Sequence, residues 1–130
     1  RILQKHLSSM VQELTDEGRI IYIMKQVPAQ SFADPRSAFY KAIATGKEIP
    51  IQGVSTSTNA SYRTLADQAL DTVGKIPGVH TIDPSLILCN ENNCPVRRGE
   101  TLVYRDNDHV SLAGAMLLRP LFAPIFTMMR

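Results

Sequence analysis

Residues 2–24, ILQKHLSSMVQELTDEGRIIYIM, place a helical pattern directly before an apolar run. The helix is predicted over about residues 2–17, because apolar residues recur there at helical spacing: Leu3, Leu7, Met10, Val11 and Leu14. Gly18 is expected to be its C-cap, since glycine tolerates the left-handed conformation that ends helices. Residues 19–24 form a continuous run that is rich in β-branched residues and does not alternate with polar ones, which is typical of a parallel strand buried on both faces. A helix, a glycine turn and a buried strand are half of a βαβ unit, so the segment predicts an α/β fold.

The middle of the chain is predicted to hold two more helices. The first is expected over Pro35–Ala44, with Asp34 as its N-cap. Residues 46–58 are rich in Gly, Pro, Ser and Thr and predict a loop. The second helix is expected over about residues 59–73, and one face of it carries the apolar residues Tyr62, Leu65, Ala66, Ala69, Leu70 and Val73.

The last third of the chain returns to short strands. Val79–Asp83 predicts a strand, and Pro84 begins a turn that leads to residues 86–88. A further short strand is expected at Thr101–Tyr104, and a helix capped by Ser111 follows. This order predicts one layered α/β domain over residues 1–130, with its first strands missing.

Length and charge exclude several classes of protein. A chain of 130 residues with 44% apolar and 20% charged residues is expected to fold as one domain. The net charge is only +2, and Arg97-Arg98 is the one adjacent basic pair, so a nucleic-acid partner is not expected. No apolar run reaches 18 residues. Because the sequence opens on Arg1 without a signal-like segment, we expect it to be a piece of a longer protein.

Cys89 and Cys94 enclose a polar loop, CNENNC. A zinc site needs four ligands, and no second cysteine or histidine pair lies at suitable spacing, so no metal is expected. A disulfide between Cys89 and Cys94 is favoured over two free thiols. If it forms, the protein belongs to an oxidising compartment such as a periplasm.

The segment 104–115, YRDNDHVSLAGA, is the candidate for chemistry. Its Asp106-x-x-His109 pattern brings a carboxylate within reach of an imidazole, where it can hold the Nδ1 proton and leave Nε2 to act as a base. Ser111 is expected to be a helix cap rather than a nucleophile. By spacing alone, a solvated turn is the favoured interpretation, and the EF-hand register is excluded because it puts Leu117 where Glu is required.

The same segment closely resembles the last conserved block of SGNH (GDSL-type) hydrolases, in particular the domain fused to membrane acyltransferases that O-acylate bacterial surface polysaccharides. The cysteine pair after Ile82-Asp83-Pro84, and the run from Ile20 to Val27 followed by Pro28, fit that group too. The resemblance implies a three-layer α/β/α flavodoxin-like fold with a parallel sheet. It implies catalytic roles for His109 and Asp106, and no cofactor.

The chain also departs from that family. The nucleophile block Gly-Asp-Ser and the block Gly-x-Asn-Asp, which supplies the oxyanion hole, do not occur in it. Gly53-Val54-Ser55 is the nearest Gly-x-Ser, but it lacks the Asp, and Ser55 and Ser57 are expected to be loop residues. The resemblance therefore implies the C-terminal portion of an SGNH domain, which holds two members of a Ser-His-Asp triad.

The resemblance implies an acyltransferase or ester hydrolase whose partners are an acyl donor, a polysaccharide acceptor and an upstream membrane acyltransferase domain of the same chain. It implies a periplasmic or other extracytoplasmic location, tethered to the inner membrane. A parallel sheet without its central strands exposes apolar edges, so a homodimer is also expected. The alternative is a non-catalytic glycan-binding or structural domain that retains the fold.

Overall fold

The computed structural model describes residues 2–31, 35–47 and 51–127, and these contain both helices and strands. Asp34, the predicted N-cap of the second helix, lies outside the described residues. The prediction of an α/β fold is confirmed. In chain order the elements are α1 (Ile2–Asp16), β1 (Ile21–Met24), α2 (Pro35–Thr45), α3 (Thr56–Val73), β2 (Val79–Ile82), α4 (Ser85–Leu88), β3 (Arg97–Arg98), β4 (Thr101–Leu102), α5 (Leu112–Leu117) and α6 (Arg119–Thr127).

The chain divides into two compact units, and the first contains Arg1–Lys25 and Ala60–Asp83. Its sheet is the parallel pair β1–β2, with Ile21 opposite Val79 and Met24 opposite Ile82. Helix α1 ends as predicted, because Gly18 takes a φ of +81° and its N–H donates to the Thr15 carbonyl at 2.9 Å. The core of this unit is formed by Val11, Val73 and Val79.

Strand β1 is less buried than its sequence predicts. Ile21, Tyr22 and Ile23 are half-buried and Met24 is exposed, so the expectation of a strand buried on both faces is wrong. The reason is that β2 is the one strand hydrogen-bonded to β1 among the described residues. The parallel pairing itself matches the prediction.

The prediction that α3 buries one apolar face is also wrong in part. Tyr62 and Leu65 are more than four-fifths exposed, whereas Arg63 is 7% exposed. Val73 is fully buried, as expected. Asp67 and Asp83 pair with Arg63 there, and these ion pairs compensate the charge of the buried guanidinium.

These carboxylates form a network where β1 and β2 end. The Arg63 guanidinium contacts Asp67 and Asp83, each at 3.2 Å. Lys25, whose side chain is 10% exposed, lies 2.7 Å from Asp71 and 4.0 Å from Asp83. Asp83 directly follows β2 and Lys25 directly follows β1, so the network ties both strand ends to α3.

The second unit contains Gln26–Asn59 and Pro84–Arg130. Its buried core is built from Leu88, Val96, Val103, Tyr104 and Leu118. Strands β3 and β4 form a short antiparallel hairpin, so the predicted strand at 101–104 is present but ends at Leu102. The predicted turn to residues 86–88 is helical instead, since Pro84 is the N-cap of α4 and its carbonyl accepts from the N–H groups of residues 87 and 88.

Helix α3 begins three residues earlier than predicted, at Thr56. The cause is Ser55, whose Oγ accepts from the Thr58 N–H at 3.0 Å, the contact made by an N-cap. Ser57 therefore lies in the helix, and its assignment to a loop is wrong.

Among the described residues no helix has the length and apolarity needed to cross a membrane.

We predict that Asp83→Ala destabilises the fold by about 2 kcal/mol, because it removes a charged hydrogen-bond acceptor from the buried Arg63. Chemical denaturation followed by circular dichroism measures the change. Asp16→Ala is the matched control, since Asp16 is exposed and accepts one hydrogen bond, from Gln12; it is expected to change stability by no more than about 0.5 kcal/mol. Equal losses in the two variants would contradict a special role for the network.

Candidate active site

The site loop lies between β4 and α5 in the second unit. Tyr104 and Val110 form an antiparallel bridge, and the Arg105 N–H donates to the His109 carbonyl at 2.9 Å. These contacts close residues 105–109 into a tight turn. Tyr104 is fully buried, whereas His109 is exposed, so the turn is anchored in the core and presents its imidazole to solvent.

Ser111 fixes the start of α5, as the sequence predicts for a cap. Its Oγ accepts from the Gly114 N–H at 2.9 Å and donates to the Leu102 carbonyl at 2.6 Å. The Ser111 N–H donates to the Val103 carbonyl at 2.8 Å. With its hydroxyl proton engaged and its oxygen capping a helix, Ser111 is a structural residue.

Gly114 allows this close approach of helix and strand. A Cβ atom at Gly114 would collide with the carbonyl of Val103, which is backbone and cannot swing away. The glycine therefore sets how near α5 lies to the strand side of the loop.

Asp106 and His109 are in direct contact. The His109 Nδ1 lies 2.9 Å from Asp106 Oδ1 and 3.1 Å from Oδ2. The same Oδ1 accepts from the backbone N–H of His109 at 2.8 Å and from that of Asp108 at 3.2 Å. The carboxylate is thus held by the backbone of its own loop while it faces the imidazole. The other ring nitrogen, Nε2, makes no hydrogen bond with any residue that the structure describes.

Two more charged residues surround the pair. Arg105 lies 3.4 Å from Asp106 Oδ2, and its side chain is largely exposed. Asp108 Oδ1 lies 3.0 Å from His109 Nδ1, so a second carboxylate faces the same ring nitrogen. The contact of Asp108 was not expected from the family pattern, and the sequence signal for it is the acidic residue one position before the histidine.

The pKa of the Asp106 carboxyl lies well below its usual range. Partial burial acts to raise that pKa, but hydrogen bonds outweigh it. The donors are the backbone N–H of Asp108, and the side chain and backbone N–H of His109, whose positive charge adds to the effect. Asp106 is therefore ionised at neutral pH.

A protein-family model matches most of the chain. The family model described as "SGNH domain (fused to AT3 domains)" matches residues 1–124. The chain belongs to the SGNH domain family. No curated protein and no solved structure matches it.

In this SGNH domain a buried glutamine supports the site loop. The Gln30 N–H donates to the Asn107 carbonyl at 2.6 Å. The Gln30 side chain accepts from the Val54 N–H at 2.8 Å and donates to the Cys94 carbonyl at 3.1 Å. Gln30 therefore connects the loop to the cysteine segment, and sequence reasoning missed it because a lone glutamine carries no motif.

The cysteine segment of the SGNH domain is cross-linked. The sulfur atoms of Cys89 and Cys94 lie 2.04 Å apart, the distance of a disulfide bond. The backbone of Cys94 also pairs with Val54, whose carbonyl accepts from the Cys94 N–H at 2.8 Å. Gly53 packs so closely on the Cys94 carbonyl that a Cβ there would collide with it.

Two further candidate features are Ser55 and a group of possible metal ligands, and the structure gives the contacts of both. The Ser55 hydroxyl caps α3 and donates to Thr58 Oγ1 at 2.7 Å, so it serves the helix. Carboxylate oxygens of Asp106 and Asp108 and a ring nitrogen of His109 lie within 4.8 Å of one another, the one such trio among residues 2–31, 35–47 and 51–127. Asp106 is hydrogen-bonded to the His109 ring, and Asp108 Oδ1 lies 3.0 Å from the same ring nitrogen.

We predict that Gly114→Ala destabilises the domain by about 2 kcal/mol, because the added methyl group overlaps the Val103 carbonyl and forces α5 away. Thermal unfolding measures the loss. Ala113→Ser is the matched control, since Ala113 is exposed on the same helix. A Gly114→Ala protein as stable as the control variant would show that the close approach is not required.

We further predict that Asp106 makes stability depend on acid pH. Its folded pKa is depressed, so its stabilisation is complete above about pH 3.9, the ordinary value, and is lost as the pH falls toward the folded pKa. Asp106→Asn does not titrate and should lose less stability between about pH 5 and about pH 2. Denaturant midpoints over that range measure the slope.

The control for this measurement is Asn107→Ala, in the same loop and without a titratable group, which should keep the wild-type slope. The groups that face Asp106 are Arg105, Asp108 and His109, and they are present in both variants. If Asp106→Asn and wild type lose stability in parallel, ionised Asp106 does not stabilise the fold.

Proposed function

We propose that this SGNH domain supplies the base and its orienting carboxylate for the transfer of an acyl group to or from a hydroxyl oxygen of a bacterial surface polysaccharide. The observation that carries the proposal is the contact of His109 Nδ1 with Asp106 at 2.9 Å beside an exposed imidazole. Membership of the family fused to AT3 domains supports an acyltransferase context.

In the proposed reaction a serine of the parent protein attacks the ester carbonyl. As the Oγ–C bond forms, His109 Nε2 takes the serine proton, and Asp106 stabilises the resulting imidazolium through Nδ1. The tetrahedral intermediate then collapses, and the departing sugar oxygen receives that proton from Nε2. The product is an acyl-serine and a free hydroxyl.

A second hydroxyl completes the cycle. A sugar hydroxyl or water loses its proton to Nε2 and attacks the acyl-serine, and the proton returns to the serine as the bond to the acyl group breaks. The incoming nucleophile alone decides between transferase and hydrolase. The geometry of Asp106 and His109 serves both reactions, because Nε2 accepts and returns one proton in each half.

The proposed setting is the extracytoplasmic face of a membrane, with the domain tethered through an upstream acyltransferase domain. The disulfide between Cys89 and Cys94 supports an oxidising compartment. The fusion described for the family supports the link to a membrane enzyme.

We predict that His109→Ala in the complete protein lowers ester turnover by about a thousandfold or more, because the proton acceptor is lost. Asp106→Asn should lower it by about a hundredfold, since a neutral amide does not stabilise the imidazolium formed in the reaction as a carboxylate does. Release of p-nitrophenol from p-nitrophenyl acetate measures turnover. His6→Ala is the matched control, because His6 is exposed on α1.

Two results would overturn the proposal. One is a His109→Ala protein that remains folded and as active as His6→Ala. The other is turnover by the 130-residue chain alone that depends on His109, which would place the nucleophile within this chain.

A further inference from the structure

Two carboxylates, not one, face the same nitrogen of the His109 ring. Asp106 Oδ1 lies 2.9 Å from Nδ1 and Asp108 Oδ1 lies 3.0 Å from it. An unprotonated Nδ1 would place its lone pair beside two negatively charged oxygens, which is repulsive. The arrangement is favourable only when Nδ1 carries a proton, because that N–H then donates to Asp106 while the Asp108 carboxylate, 3.0 Å from the same nitrogen, adds a favourable charge interaction.

The two carboxylates are held in different ways. Asp106 accepts from two backbone N–H groups and contacts Arg105, so its position is fixed by the loop itself. Asp108 is 46% exposed at its side chain, and its contact with Nδ1 is the one side-chain interaction found for it among the described residues. Asp106 is thus the fixed acceptor of the Nδ1–H bond, and Asp108 is a second carboxylate whose exposed side chain interacts with the imidazole by charge.

We propose that Asp108 is a second positioning residue, which holds the Nδ1–H tautomer of His109 together with Asp106 and retains it when Asp106 is lost. The kinetic consequence rests on the proposed function, since it concerns the same base. The structural consequence does not, because the tautomer exists whether or not the domain turns over an ester.

The tautomer is measured directly by long-range ¹H–¹⁵N correlation spectra of His109 at a pH where the ring is neutral. Wild type and Asp108→Asn should both show a proton on Nδ1. Asp106→Asn should retain a major part of this signal, because the Asp108 carboxylate remains about 3.0 Å from Nδ1 and is then free to accept its N–H. In the double variant Asp106→Asn/Asp108→Asn the proton should move largely to Nε2, the tautomer favoured when no carboxylate faces Nδ1.

Methyl signals of Val103 and Val110, on either side of the loop, verify that each variant keeps its fold. Asp16→Asn is the matched control for loss of an acidic side chain and should leave the His109 spectrum unchanged. If Asp106→Asn alone gives the same tautomer ratio as the double variant, Asp108 does not hold the ring and the inference is wrong.

In the complete protein, with p-nitrophenyl acetate as the probe, Asp108→Asn alone should lower kcat about threefold. In the Asp106→Asn background, the same substitution should lower kcat by a further factor of about ten. Asp108→Asn is then more harmful in the Asp106→Asn background than in wild type, which is the signature of two groups that act on one atom. Equal factors in both backgrounds would contradict the inference. A tautomer that follows the prediction in a protein without His109-dependent turnover would overturn the proposed function and leave the role of Asp108 intact.

Discussion

The hydrogen bonds of Ser111 are the constraint on which the candidate site depends. One hydroxyl caps α5 through Gly114 and bonds the Leu102 carbonyl, so it joins the helix start to the strand that precedes the loop. Because both ends of the loop are fixed by these bonds, residues 105–109 have little freedom left. The imidazole and the carboxylates, which lie within three residues of one another in the sequence, then meet within one short turn.

The first unit is held by a different kind of interaction. Its small apolar core is supplemented by Arg63, Lys25 and three aspartates, which meet where the two parallel strands end. Removing one partner of such an ion pair leaves a charge without compensation in a poorly solvated place. The sequence Ile82-Asp83-Pro84 thus ends a strand and contributes to its fixation at the same time.

The local elements of this fold could be predicted from sequence, and the environments of side chains could not. The period of α1, its Gly18 cap and the Ser111 cap depend on neighbouring residues, so the pattern contains them. The burial of Arg63 depends on Asp83, which lies outside α3 and 20 residues away in the sequence, and no periodicity reveals that partner. The family pattern predicts a role for Asp106 and His109, but the contact of Asp108 with the same nitrogen requires the actual path of the loop.

Gln30 shows that the motif alone does not determine its own geometry. Its side chain reaches a carbonyl 64 residues away in sequence, and its N–H binds the carbonyl of Asn107 inside the loop. Bringing such distant segments together costs loop-closure entropy, which the contacts recover only after most of the chain has been ordered. The conformation of the loop is therefore a non-local property, and a peptide with the sequence of residues 104–115 would contain every residue of the motif without its geometry.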